Sequence, residues 1–154
     1  MIHYKKTMIK LALLACCIFL GTACDRLLPG KDGSDAAAIS LPARGKLFTV
    51  TKPDYFNDVV FHSTNPVLVL FYAAESIPSV PFRKTFQELI PRYSNILVFA
   101  EVNLSDTTVA ELEQQYTVST VPSLLLLDRS LERVRVSGAT SQESITSLLD
   151  TVLH

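Results

Sequence analysis

Cysteine is what most of this sequence lacks. Among 154 residues only Cys16, Cys17 and Cys24 are cysteines, and residues 25–154 contain none. A structural disulfide, a cysteine-ligated metal and a cysteine nucleophile are therefore excluded from that stretch. Tryptophan is absent, and no run of Lys or Arg occurs. With 14 basic against 15 acidic residues the net charge is −1, so the electrostatic footprint of a nucleic-acid partner is missing. Charged residues make up only 19% against 48% hydrophobic, which excludes disorder over most of the chain. The length suits one domain plus a targeting segment. His62 and His154 have no second histidine near them in sequence, so no metal site is expected.

The first 24 residues have the layout of an export signal. Lys5, Lys6 and Lys10 form a positive region, and Leu11–Ala23 is an apolar run. That run has the length of a signal-peptide core and is short for a membrane-spanning helix. It ends in Gly21-Thr22-Ala23-Cys24, which resembles the lipobox of bacterial lipoproteins. The resemblance implies cleavage before Cys24 and lipidation of its thiol. It departs from the family at Gly21, where leucine is preferred; Leu13-Leu14-Ala15-Cys16 fits locally but leaves a very short apolar run before the cut. An ordinary cleaved signal with Cys24 as a free thiol is the other reading. Residues 1–23 are thus expected to be a signal peptide and 24–46 a lipidated cysteine with a flexible tether. The tether carries Pro29, Gly30, Gly33, Pro42 and Gly45 and sustains neither helical nor strand periodicity.

From Leu47 the pattern is regular. Leu47–Val50 predicts a short strand, and Pro53 opens a helix with Tyr55, Phe56, Val59 and Val60 at helical spacing, ended by Asn65-Pro66. His62 suits that helix's C-terminus. Val67–Ala73 and Ile96–Val102 are continuous apolar runs, the mark of strands covered on both faces. Between them Phe82, Phe86, Leu89, Ile90 and Tyr93 form one helical stripe. Thr108 with Glu111, and Thr140 with Glu143, predict capping boxes for two further helices. Ser123–Leu127 and the alternating Glu132–Val136 predict two strands joined by Asp128-Arg129-Ser130. The order β-α-β-α-β-α-β-β-α argues for an α/β fold over residues 47–154, a mixed sheet with helices on both faces.

That order, with three local matches, resembles the thioredoxin family. Leu70–Ser79 looks like the family's strand entering its active-site turn, with the proline of the motif kept as Pro78. Val118–Leu124 looks like the segment whose proline is cis, here Pro122, and Val136–Ala139 looks like the glycine-containing turn beside it. The resemblance implies a thiol–disulfide oxidoreductase ancestry, and the departures fall on that chemistry. The two active-site cysteines correspond to Ser76 and Ser79, giving Ser76-Ile77-Pro78-Ser79; the preceding tryptophan corresponds to Glu75, the buried aspartate to Leu70, and a lysine on the neighbouring strand to Glu101. A serine hydroxyl ionises too weakly to replace a thiolate and has no disulfide chemistry. Leucine at position 70 also removes the desolvation cost of a buried carboxylate.

Ser76 has no nucleophile-elbow glycines and no evident base, so it is expected to cap the following helix, with Ser79 an ordinary first-turn residue. The resemblance further implies a groove of Glu75, Ile77, Pro78, Val121, Pro122, Gly138 and Ala139, where a partner segment pairs with the backbone of Val121. Three functions follow as expectations. The first is a non-catalytic domain, tethered to a membrane on the outer side and facing the periplasm or cell exterior, that binds an envelope protein or peptide and needs no cofactor. The second is an accessory redox protein acting through a partner's thiols or a bound thiol cofactor. The third is a purely structural domain.

Overall fold

The computed structural model describes residues 42–154; the expected signal peptide, Cys24 and the tether up to residue 41 lie outside the described residues. Strand β1 is Leu47–Val50, α1 Pro53–Phe61, β2 Val67–Tyr72, α2 Ser79–Tyr93 and β3 Val98–Asn103. A 3-10 turn, Thr107–Val109, leads into α3, Ala110–Gln115; β4 Ser123–Asp128, β5 Leu131–Ser137 and α4 Gln142–Leu153 complete the chain. The element order is the one the sequence predicts.

The five strands form one sheet in the order β1-β3-β2-β4-β5. Strands β1, β3 and β2 are parallel, with Leu70 level with Glu101; β4 runs antiparallel to β2, and β5 antiparallel to β4. All six residues of β2 are buried, because helices cover both faces. On one face Phe56, Val59 and Val60 of α1 and Leu112 of α3 pack on Val69, Phe71, Ala100 and Leu125. Phe56, Phe71 and Tyr116 meet there with ring centroids 5.1–6.1 Å apart. On the other, Phe82, Phe86 and Leu89 of α2 and Ile145 and Leu149 of α4 pack on Leu68, Leu70, Phe99 and Leu124. A truncation such as Phe86→Ala, at a fully buried side chain, removes about 3–5 kcal/mol.

The predicted caps shift by one or two residues. The 3-10 turn before α3 is capped by Asp106, whose carboxylate accepts from the Thr108 N–H, while Thr108 donates its hydroxyl to the Thr51 carbonyl. At α4 the cap is Ser141, accepting from the Ser144 N–H, and not Thr140. In each case several short polar residues precede the helix, and tertiary position selects among them. His62 is the C-cap of α1, 3.5 Å from Asp58. The third strand starts at Val98, and Ile96 belongs to the preceding turn. Val134 and Val136 join the α2/α4 core from β5, whose ladder is interrupted at Leu126/Leu127.

Candidate functional site

The register places three segments at one end of the sheet. Phe71 pairs with Ser123, so the turn leaving β2 lies beside Val121 and Pro122, just before β4. Ser123 pairs with Ser137, and the Gly138 N–H donates to the Pro122 carbonyl at 2.8 Å. The Val121–Pro122 peptide bond is cis. Pro122 is buried, Val121 is half-buried against the α1/α3 core, and Ala139 is exposed. Gly138 adopts φ +84°, a conformation that side chains rarely take. This end also holds the carboxyl ends of the parallel strands, where open α/β sheets commonly bind ligands.

The turn between β2 and α2 folds as two tight steps. The Ser76 N–H donates to the Ala73 carbonyl at 3.1 Å, and the Ser79 N–H to the Ser76 carbonyl at 2.9 Å. These steps delay α2 until Ser79, with Pro78 as its N-cap and no side-chain cap. Ser76 therefore does not cap the helix, contrary to expectation. It is half-buried within the turn. Ser79 is more than a first-turn residue. It is fully buried, and its hydroxyl accepts from the Ala73 N–H at 3.4 Å, bracing the turn from below. Ile77 projects outward, 87% exposed, with Pro78 exposed beside it.

Glu75 faces the other way. Its carboxylate accepts a hydrogen bond from the Ser105 hydroxyl, which holds its pKa below the ordinary glutamate value. The Ala74 N–H donates to Asn103 Oδ1 at 3.2 Å and to Ser105 Oγ at 3.1 Å. Helix α2 leaves β2 toward one face of the sheet, and α3 leaves β3 toward the other. Where the two helices diverge, Ala74 and Glu75 are joined to Asn103 and Ser105 by a polar seam. Ser105 follows β3, whereas Val121 and Pro122 precede β4, and these strands flank β2 on opposite sides. Glu75 is a clamp on the turn, on the β3 side of β2.

A buried charge lies one strand away from Leu70. Glu101 is buried on the same face as Leu70. Arg83 of α2 grips it through two hydrogen bonds, Nε to Oε2 at 2.8 Å and Nη2 to Oε1 at 2.6 Å, and the Thr49 hydroxyl donates to it at 3.1 Å. The guanidinium lies 5.0 Å from the Tyr72 ring centre. Burial, then the Glu101 charge, push the Tyr72 hydroxyl above its ordinary pKa, with Arg83 opposing. Sequence reasoning missed this pair. Its signal was a lone acid within the buried run Val98–Asn103, since a buried carboxylate requires a cation or hydrogen-bond donors.

Tyr72, Ser79, Arg83 and Lys84 line a cavity of about 250 Å³ beside the turn. Among the described residues, no group of three His, Cys, Asp or Glu side chains is placed to hold a metal ion, and no helix is long and apolar enough to cross a membrane.

Comparison with known proteins agrees with this architecture. The chain is similar to a thioredoxin of Acidithiobacillus ferridurans, 32% identical over 101 residues, covering 65% of this chain and 91% of that protein. The thioredoxin family model matches residues 47–151, from the first strand into the last helix. With sheet order, turn and match in agreement, this chain belongs to the thioredoxin family.

Proposed function

We propose that this thioredoxin-family domain has lost thiol–disulfide chemistry and binds an extended protein or peptide segment in the cell envelope, tethered to a membrane through a lipid on Cys24. The observation that carries the reading is the pairing of Ser76 and Ser79 with a cysteine-free chain from residue 25 onward. No thiolate is available in the turn to attack a disulfide. The surroundings still favour binding. Ile77 and Pro78 stand exposed beside Val121 and Gly138, an apolar rim with backbone close by, suited to strand addition by a partner. The basic and apolar N-terminus supports export, and Cys24 after Gly21-Thr22-Ala23 supports lipidation.

A photo-crosslinking amino acid at Ile77 in the full chain, expressed in its own envelope, tests the binding. A discrete crosslinked partner is expected from position 77 and not from Glu88, which is exposed further along α2. Equal labelling from both positions, or none from either, would count against a binding groove.

A further inference from the structure

Among the described residues, the exposed large apolar side chains divide between the ends of the sheet. Ile77 and Val80 stand at the groove end. Tyr55 is set apart, packed against Phe48 with ring centres 6.4 Å apart. The other four lie at the opposite end, where β2 begins. Phe61 (52% exposed) closes α1, Ile96 (39%) occupies the turn before β3, Leu131 (62%) follows the β4–β5 hairpin tip and Val152 (40%) lies in the last turn of α4. The register puts the turns and helix ends that carry them at one end of the sheet, since Val67 pairs with Val98 and with Leu127. Ile96, Val152, Pro66 and Leu153 line a depression of about 380 Å³ together with the paired Asp128 and Arg133.

The chain also enters the domain at this end. The Gly45 N–H donates to the Leu97 carbonyl at 2.8 Å, and Arg44 Nη1 to the Asn95 carbonyl at 2.8 Å. A Cβ at Gly45 would lie 2.9 Å from the Ser94 carbonyl oxygen, so the entering strand is pressed on the turn that carries Ile96. Of the acids at this end, Asp128 pairs with Arg133, Glu132 with Arg135 and Asp150 with Arg92, while Asp58 lies 3.5 Å from His62, an ion pair only when that histidine is protonated. Arg44, Lys46 and Arg129 have no carboxylate at ion-pairing distance among the described residues. Exposed apolar groups among free cations are the chemistry of an anionic membrane surface, where the apolar groups enter the headgroup boundary and the cations meet lipid phosphates.

We infer that the face carrying Phe61, Ile96, Leu131 and Val152 lies against the anionic surface of the membrane that anchors the chain. The inference rests on the proposed anchor at Cys24. The tether expected from the sequence between Cys24 and Pro42 would, as a flexible coil, have a root-mean-square span of about 20–25 Å. It would hold this face at high effective concentration near lipid, so a surface weak on its own suffices. The groove, at the far end of the sheet, then points away from the bilayer toward soluble or extended partners.

The test uses the mature chain from Cys24 onward, with the Cys24 thiol coupled to a maleimide lipid in vesicles containing phosphatidylglycerol. Amide hydrogen exchange is compared with the same protein free in solution. The expected result is several-fold slower exchange in residues 61–66, 94–97, 129–132 and 151–154, with none in 76–80, and loss of that slowing at high salt. Phe61→Ser with Leu131→Ser should abolish it, and Arg129→Glu, at the hairpin tip, should weaken it without touching an apolar contact. Unchanged exchange on vesicles, slowing at 76–80 instead, or the same slowing in concentrated protein without lipid would each overturn the inference. Because the anchor is supplied chemically, finding unlipidated Cys24 in cells by mass spectrometry would sink the anchoring reading alone.

Discussion

Glu101 and Arg83 concentrate the physics of the altered site in two side chains. A carboxylate in the α2-facing core is stabilised only while its two hydrogen bonds to the guanidinium and one to Thr49 persist. Arg83→Met should therefore destabilise the domain by about 2–4 kcal/mol, less than a fully buried break because the guanidinium is partly exposed. Glu101→Met in the same chain should recover most of that loss. Urea unfolding of both variants checks this; equal stabilities for Arg83→Met and the parent would show that water, and not Arg83, satisfies Glu101. Leu70 stands level with Glu101 on the neighbouring strand, so the buried carboxylate of this core lies on β3 and not on β2. The sequence alone shows the acid at Glu101 but not its partner, because Arg83 lies between Phe82 and Phe86 on a helix surface where an exposed arginine is equally ordinary.

Among the elements, α3 is the most tightly specified at its end. The Val118 N–H reaches the Glu113 carbonyl and the Thr117 N–H the Gln114 carbonyl, a Schellman pattern whose left-handed position is Thr117 at φ +50°. Arg135 of β5 adds hydrogen bonds to the Tyr116 and Thr117 carbonyls, tying the helix end to the strand beside the Val121 loop. A β-branched residue is strained there, so Thr117→Gly should stabilise the domain by about 0.5–1 kcal/mol, read as a raised unfolding midpoint. Helix α4 is fastened to α2 through Asp150, which accepts from the Tyr93 hydroxyl at 2.6 Å and from Arg92 at 2.8 Å. The Tyr93 bond, with the charges of Arg92 and His154, holds the Asp150 carboxyl below its ordinary pKa. A lowered folded-state pKa gives stability that is present above the unfolded value of about 4 and lost as pH falls through the folded value. Asp150→Asn should therefore lose stability at neutral pH and flatten the acid limb of the unfolding profile; parallel profiles for the two proteins would remove Asp150 from that role. Helix and strand order is legible in the sequence because apolar stripes and runs are set by burial. The caps at Asp106 and Ser141 are less so, because neighbouring Ser, Thr and Asp residues compete and packing selects one.

At the scale of the whole domain, the two ends of the sheet differ in what they expose. One end gathers Ile77, Pro78, Val121 and Gly138 around a turn braced by Ser79 and clamped by Glu75 to Ser105. The other receives the chain and shows apolar and basic side chains. That Ile77, Pro78, Val121 and Gly138 meet at one end is legible in the sequence because each lies in a short motif at a strand end. The turning away of Glu75 is not, since its direction depends on Ser105, thirty positions later in the chain. The exposed far end is not either, because Phe61, Ile96, Leu131 and Val152 belong to four separate elements. The most direct measurement is insulin-disulfide reduction by the mature chain carrying Cys24→Ser, beside the same chain with Ser76→Cys and Ser79→Cys. No turnover above buffer is expected from the first, and restored turnover from the second. No turnover from the second would contradict the proposal, because Ser76 and Ser79 would then not be what removes thiol chemistry.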